Sequence, residues 1–181
     1  FIYECRKKQI KECSNSLEEF AKSYESFGVL PKENGISVKE WLPNAEHVSI
    51  FGEFNGWNRD SHPLKKIDDF GNWGTFLNNN SDGSRQIMHG TQLKLHIKTK
   101  DHQYLDRIPA WIHYAVQDQY TKVYNGTFWD SQEFKWKNAI PDLSSKSLKI
   151  YEAHVGMAGN EYKVHSFKEF TTNVLPRIKK L

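Results

Sequence analysis

Apolar and polar residues alternate along much of the chain between residues 36 and 136. In the segment LKLHIK at residues 93–98, leucine or isoleucine takes every second position, and lysine or histidine takes the positions between. A period of two is typical of a β-strand with one buried face. Turn-forming clusters separate such segments, at residues 42–45, 55–58, 68–72 and 78–84. This pattern predicts a sandwich of two antiparallel sheets.

The region before the sandwich has a helical period instead. Ser16 is followed three residues later by Glu19, which is the spacing of a capping box. The residues after it place an apolar face on the helix before Gly28 ends the pattern: Leu17, Phe20, Ala21, Tyr24 and Phe27. We expect this amphipathic helix to pack on the sandwich. An alternative is that it packs on a further part of the protein as well.

After Pro141 the pattern changes again. A polar connector at residues 141–146 precedes an apolar segment at residues 148–155, which predicts a strand. Beyond a loop, Ser166 and Glu169 have capping-box spacing and begin a helix, in which Pro176 predicts a kink or a new start. One strand-loop-helix unit is typical of an α/β fold. It cannot form a barrel by itself, because a barrel needs eight such units.

Composition and charge narrow the class of protein. Apolar residues make up 38% and aromatic residues 14% of the 181 positions, which is enough for a hydrophobic core. The formal net charge is only +3, so we expect no nucleic acid as a partner. No eighteen apolar residues stand together, and the first residues lack the apolar core of a secretory signal. We therefore expect no membrane partner and a cytoplasmic location.

Two groups of motifs resemble known families. The motif FGEFNGWN at residues 51–58, with GNWGTF after it, resembles the family 48 carbohydrate-binding modules. Such modules occur in branching enzymes, in debranching enzymes and in the β subunit of AMP-activated protein kinase. The motifs LKIYEAHVGM at residues 148–157 and FTTNVLPRIKKL at residues 170–181 look like the start of the catalytic barrel in eukaryotic-type 1,4-α-glucan branching enzymes. Together the resemblance covers residues 17–181.

These observations together predict a mostly β chain in three parts. Residues 1–28 form a helical segment, and residues 29–140 form an immunoglobulin-like antiparallel β-sandwich that binds glucan. Residues 141–181 form one strand-helix unit of an incomplete (β/α)8 barrel. The remainder of that barrel would lie beyond Leu181 and would be a partner of this unit.

The same resemblance implies which residues bind a sugar. In the modules of the family, the tryptophan of the N-G-W loop is a flat platform for glucose, and Trp57 matches it. Lys94 matches a lysine that contacts hydroxyl groups, Tyr104 a second aromatic platform, and Asn125 an asparagine near the last strand. The second platform is usually a tryptophan, so Tyr104 departs from the family pattern.

These residue types suit glucose, which has an apolar ring face and a rim of hydroxyl groups. Each also has an ordinary structural alternative. A tryptophan beside the Asn55-Gly56 turn can simply pack on the sandwich, and a lysine on the polar face of a strand is commonly solvated. We expect the other tryptophans in the core or in interfaces: Trp41, Trp73, Trp111, Trp129 and Trp136.

The activity implied by the resemblance cleaves an α-1,4 bond and transfers the released chain to a 6-hydroxyl with retention of configuration. This reaction needs two carboxyl groups about 5 Å apart. In branching enzymes they belong to later barrel strands, so we predict no catalytic residue in this chain. The histidines and cysteines lack metal-binding spacing, and no glycine-rich phosphate loop is present, so we expect neither a metal nor a cofactor.

The sequence thus predicts the α-glucan-binding N-terminal part of a branching enzyme, with glycogen, amylopectin or amylose as the polymer. The alternative is a stand-alone glycogen-tethering module of a non-enzymatic regulatory subunit. A debranching enzyme and a protein-binding sandwich are two further possibilities. The motif at residues 148–157 argues against a tethering module, which has no use for the first unit of a barrel.

Overall fold

The structure is a computed structural model that describes residues 1–14, 16–142, 144 and 147–181. Its internal contacts divide the chain into two compact units, Phe1–Glu133 (unit 1) and Phe134–Leu181 (unit 2). Across the described residues, every helix is too short or too polar to cross a lipid bilayer.

Unit 1 begins with a helical segment. The Ser16 hydroxyl oxygen accepts a hydrogen bond of 3.0 Å from the backbone N–H of Glu19, so the predicted helix start is confirmed. The segment consists of two α-helices and a 3-10 turn: α1 (Ile2–Cys13), α2 (Leu17–Ala21) and the turn Ser23–Ser26.

The predicted packing of this helix on the sandwich is wrong for most of its apolar face. Leu17, Phe20 and Tyr24 remain exposed. Phe27 does pack, because its ring contacts that of Trp111 with the ring centroids 4.6 Å apart and 34° between the ring planes. Short helices gain most of their stability from tertiary packing. Without such packing, α2 ends after five residues.

The described residues of unit 1 form nine strands in two antiparallel sheets. The strands are β1 (Gly28–Lys32), β2 (Gly35–Trp41), β3 (Ala45–Gly52), β4 (Lys65–Lys66), β5 (Asn72–Asn78), β6 (Gln92–Thr99), β7 (Tyr104–Arg107), β8 (Tyr114–Gln117) and β9 (Tyr124–Thr127). Sheet A has the order β1-β2-β5-β4, and sheet B has the order β3-β6-β9-β8, with β7 also paired to β6. The predicted antiparallel β-sandwich is confirmed.

Strand β6 lies at the centre of sheet B. β3 pairs along one of its edges, whereas β7 pairs with residues 95–98 and β9 with residues 92–93 on the other edge. Leu93, Leu95 and Ile97 are buried, as their alternation predicts. The intervening polar side chains lie on the opposite face of the sheet. We call this second face, which points away from the core, the outer face of sheet B.

The hydrophobic core lies between the two sheets. Valine, isoleucine and leucine side chains dominate it, and their branched shapes pack well on pleated surfaces. Its buried members are Val29, Ile36, Val38, Ala45, Val48, Ile50, Leu64, Trp73, Leu77, Ile87, Leu93, Leu95, Ile97 and Phe128.

Unit 2 contains little regular structure. Its predicted helix start is confirmed as a reciprocal capping box. The Ser166 hydroxyl oxygen accepts from the Glu169 N–H at 3.2 Å, and the Glu169 carboxylate accepts from the Ser166 N–H at 2.8 Å. The elements of this unit are a 3-10 turn (Val155–Met157), α3 (Phe167–Glu169), a π turn (Phe170–Val174) and α4 (Leu175–Ile178).

The helix of unit 2 changes its winding at Pro176. The wider π turn ends at Val174, and α4 then begins with Pro176 in its first turn. Proline has no N–H to donate, and its ring clashes with the preceding helical turn, so it is best tolerated where a helix starts. The predicted kink or new start at Pro176 corresponds to this change from π to α winding within one continuous helical path.

The predicted strand at residues 148–155 is wrong. Residues 147–154 have no strand pairing in the described structure. An apolar run becomes a strand only where a second strand accepts and donates its backbone hydrogen bonds, and unit 2 offers none among its described residues. Residues 143, 145 and 146 of the predicted connector lie outside the described residues.

Candidate binding site

A tight loop after β3 presents Trp57. Asn55 organises this loop, because its side-chain oxygen accepts from the Gly52 N–H at 3.0 Å and its side-chain nitrogen donates to the Asn58 carbonyl at 3.0 Å. Gly56 and Trp57 both have left-handed backbone angles, with φ of 62° and 60°. Glycine adopts such angles freely, whereas tryptophan does so at a cost. The Trp57 N–H donates to the Gly52 carbonyl at 2.7 Å and helps to hold this conformation.

Phe51 supports Trp57 from the outer face of sheet B. The two ring centroids lie 5.6 Å apart, and the rings meet edge to face. Although Phe51 lies outside the core cluster, it is only 1% exposed. The Arg59 guanidinium also covers it, 4.8 Å from the ring centroid. Trp57 is 37% exposed, so the indole is anchored and still accessible to a ligand.

Lys94 and Tyr104 lie on the same face as Phe51. Lys94 is directly opposite Phe51 in the ladder of β3 and β6. Tyr104 pairs with Lys98, which shares the face of Lys94 because alternate residues of a strand point the same way. Tyr104 is 65% exposed, and its ring stacks on His96 with the centroids 5.6 Å apart and 16° between the ring planes.

Asn125 also lies on the outer face, but it is buried. In the pairing of β6 with β9, Gln92 lies opposite Thr127 and Leu93 lies opposite Gly126. The next position in the same register places Asn125 opposite Lys94. The Asn125 side-chain nitrogen donates to the Gln92 side-chain oxygen at 2.6 Å. One of the two amide N–H groups of Asn125 is therefore already used within the protein.

The structure thus brings the four predicted residues to one face of one sheet. A row of ring contacts connects the two accessible aromatic residues, Trp57 and Tyr104. Trp57 contacts Phe51, and the ring centroids of Phe51 and His96 lie 6.1 Å apart. His96 in turn stacks on Tyr104. Lys94 stands beside this row of rings. The arrangement offers aromatic surfaces and polar groups side by side, which is what a sugar-binding surface requires.

A charged cluster within this face was missed from the sequence. The Arg59 guanidinium donates to the Asp106 carboxylate, with the shortest bond at 2.7 Å, and His96 Nδ1 lies 2.7 Å from the same carboxylate. Burial opposes ionisation of Asp106, but the hydrogen bonds from Arg59 and His96 outweigh it and hold its pKa below the usual value. Arg59 and Asp106 are 47 residues apart, and no local pattern relates them. The alternation on β6 did place His96 on this face.

The other tryptophans divide into packed and exposed side chains. Trp73 is buried, and Trp111 packs against Phe27. Trp41, Trp129 and Trp136 are exposed, so they are not in the core, and their place in an interface stays a prediction.

Ion pairs connect three charged side chains of unit 2. Lys163 contacts both Glu161 and Glu169 at 2.7 Å. The hydrogen bond from Lys163, together with those from Ser166, lowers the pKa of Glu169 to about 2.

In the part of the chain that the structure describes, no group of three or more His, Cys, Asp or Glu side chains could hold a metal ion.

One region of the chain matches a known family of domains. Residues 26–112 match the family described as carbohydrate-binding module 48 (isoamylase N-terminal domain). The matched region includes Trp57, Lys94 and Tyr104 and ends before Asn125.

Over nearly its whole length, the chain is similar to 1,4-α-glucan-branching enzymes. It is 38% identical over 174 residues to the enzyme of Dictyostelium discoideum, which aligns 96% of this chain with 25% of that protein. It is 41% identical over 179 residues to the chloroplastic/amyloplastic enzyme 1 of Pisum sativum, which aligns 96% of this chain with 21% of that protein. The chain thus spans about a quarter or less of the length of these relatives. The pullulanase type I of Bacillus subtilis str. 168 is a distant structural neighbour, with a TM-score of 0.47 and 12% identity over 63% of this chain and 14% of that one.

Proposed function

We propose that this chain is the α-glucan-binding N-terminal part of a 1,4-α-glucan branching enzyme, and that glycogen, amylopectin or amylose binds on the outer face of sheet B. The module at residues 26–112 supports the binding role. The relatives support the parent enzyme, because their similarity continues past the module over 96% of the chain. A stand-alone tethering module would share only the sandwich, so it is not favoured.

The clustering of Trp57, Lys94, Tyr104 and Asn125 on one sheet face carries the proposal. Each aromatic ring can bury about 60 Å² of apolar surface against a glucose ring, which contributes about 1.5 kcal/mol at about 25 cal/mol per Å². Even millimolar affinity requires about 4 kcal/mol. One platform is therefore insufficient. Two platforms and additional hydrogen bonds are the minimum, and in this proposal Lys94 and Asn125 supply the hydrogen bonds.

The test is a titration of the chain with maltoheptaose, comparing the parent chain with Trp57→Ala. Loss of one platform should weaken binding about tenfold, because about 1.5 kcal/mol of apolar contact is removed. Trp136→Ala is a matched control, since Trp136 is 85% exposed and belongs to unit 2. Equal affinity of the Trp57→Ala chain and the parent chain would count against the platform.

The whole protein would cleave an α-1,4 bond and transfer the chain to a 6-hydroxyl, forming an α-1,6 branch. In this proposal its two catalytic carboxyl groups belong to polypeptide outside this chain, and the chain by itself binds glucan without catalysis. Residues 1–28 would be the helical segment, 29–140 the glucan-binding sandwich, and 141–181 the first unit of the barrel. The remainder of that barrel is the proposed partner of unit 2, and the cytoplasm is the proposed location.

A further inference from the structure

His96 lies between the two accessible aromatic residues of the candidate site. Its imidazole centroid is 6.1 Å from that of Phe51, edge to face, and 5.6 Å from that of Tyr104, nearly parallel. It shares its face of β6 with Lys94. Its side chain is 13% exposed. A glucan that contacts both Trp57 and Tyr104 therefore passes beside this imidazole.

Asp106 determines which imidazole nitrogen carries the proton. His96 Nδ1 lies 2.7 Å from the Asp106 carboxylate, which is also held by Arg59. Asp106 is ionised at neutral pH, and an ionised carboxylate only accepts hydrogen bonds. The proton is therefore on Nδ1. In the neutral imidazole, Nε2 is then a hydrogen-bond acceptor.

The Nε2 atom is available to a ligand. Within the described part of the chain, the hydrogen bond to Asp106 is made through Nδ1, and Nε2 makes none. Among the described residues, the fully buried side-chain atoms without a hydrogen-bond partner do not include Nε2, so this atom is not fully buried. The Lys94 ammonium on the same face can only donate hydrogen bonds, so Nε2 supplies the complementary acceptor.

We propose that His96 Nε2 accepts a hydrogen bond from one hydroxyl of a glucose ring, while Lys94 donates to the adjacent hydroxyl of the same ring. A hydroxyl group both donates and accepts, so a vicinal pair of hydroxyls matches this acceptor and this donor. Arg59 and Asp106 are positioning residues, because they hold the imidazole and its tautomer. This inference rests on the proposed glucan-binding function.

The tautomer and its response to ligand can be read from the imidazole nitrogen resonances of the full chain. A long-range proton-nitrogen NMR spectrum should show His96 protonated at Nδ1. Maltoheptaose should shift the Nε2 resonance as it saturates. A proton on Nε2 in the free chain, or an Nε2 resonance that saturating maltoheptaose does not move, would overturn the assignment.

A pair of variants tests the energetic role. His96→Phe keeps a ring beside Tyr104 and removes the acceptor, so the affinity for maltoheptaose should fall about fivefold, the usual effect of one hydrogen bond. His47→Phe is the control, because His47 is exposed on the same face, opposite Lys98. Thermal unfolding of both variants reports whether they remain folded. Equal affinities of the two variants would contradict the role of His96.

Asp106→Asn tests the positioning role. An asparagine side chain can donate to Nδ1 as well as accept from it, so the variant should populate the Nε2-protonated tautomer and bind maltoheptaose more weakly. An unchanged tautomer would refute the positioning role of Asp106.

The outcomes also separate this inference from the proposed function. If the parent chain binds maltoheptaose and Trp57→Ala weakens binding while His96→Phe does not, the assignment of His96 alone is wrong. If the parent chain does not bind maltoheptaose, the proposed function fails, and the assignment of His96 fails with it.

Discussion

Asn55 shows how one side chain positions a binding residue without contacting the ligand. Besides its bonds to Gly52 and Asn58, its side-chain nitrogen donates to the Ser61 hydroxyl at 2.9 Å and lies 3.1 Å from His62 Nδ1. Asparagine commonly stabilises turns through side-chain hydrogen bonds to the backbone, like those of Asn55 to Gly52 and Asn58. Because Trp57 has a left-handed backbone angle, its conformation depends on this network.

We expect Asn55→Ala to weaken maltoheptaose binding although Trp57 is still present. Loss of its two hydrogen bonds to the backbone, at Gly52 and Asn58, should also lower the free energy of unfolding by about 2 kcal/mol, since each net hydrogen bond contributes about 1 kcal/mol. Calorimetric titration and urea unfolding measure the two effects.

Asn58→Ala serves as the comparison for this prediction. Its side chain accepts one bond of 2.9 Å, from the Asp60 N–H, so its removal should have a smaller effect on both quantities. Stronger loss of binding in Asn58→Ala than in Asn55→Ala would show that Asn55 does not organise the loop.

Among the elements, β2 is linked to the segment after β7 by a carboxylate in the core. Glu40 is 2% exposed, and its two carboxyl oxygens accept from the N–H groups of Trp41 at 3.1 Å and Ala110 at 2.8 Å. Burial raises the pKa of Glu40 above its usual value, and the two hydrogen bonds only partly offset this effect. The contact fixes the segment that carries Trp111.

A raised pKa makes the contribution of Glu40 to stability depend on pH. The folded chain binds this proton more tightly than the unfolded chain, so the contribution is fully present below the unfolded pKa of 4.5 and is lost as pH rises through the raised folded value. Glu40→Gln removes this titration. We expect the free energy of unfolding of the parent chain, relative to Glu40→Gln, to decrease as pH rises through that window.

Urea unfolding of both chains at a series of pH values measures this difference. Taking the difference removes the contributions of the other carboxyl groups, several of which have lowered pKa values and the opposite dependence. A difference that stays constant from pH 4 to pH 8 would contradict the raised pKa of Glu40.

For the whole molecule, the two units differ in how much apolar surface they bury. Unit 1 has the core between its sheets, whereas Val174 is the one buried residue among the described residues of unit 2. Ile150, Phe167 and Leu175 are exposed. In the proposed parent enzyme, the rest of the barrel would cover such side chains.

Hydrogen exchange should therefore separate the two units. The N–H groups of residues 147–154 donate no hydrogen bond in the described structure, so they should exchange as fast as in an unstructured peptide. The amides of β3 and β6 should exchange slowly, because they pair along a shared ladder. Protection of residues 147–154 equal to that of β6, in a dilute sample, would contradict the unpaired state of this segment.

Local chemistry explains which features the sequence determined by itself. Alternation of side chains predicted the two faces of β6, and capping residues predicted the helix starts at Ser16 and Ser166. Such patterns act within a few residues, so they can be recognised in any chain. The four candidate binding residues came from a family resemblance, and only the alternation around Lys94 has a local physical basis.

Contacts between distant residues decided the rest. The apolar run at residues 148–155 has the composition of a strand, but a strand requires a partner, and none is present among the described residues. Glu40 is polar and alternates correctly for an inward position, yet only the Ala110 N–H, 70 residues away, explains how it is accommodated there. The cluster of Arg59, Asp106 and His96 likewise forms only when a loop and the two strands β6 and β7 meet. Tertiary structure decides such features because the energy of a buried charge depends on which partners folding brings to it.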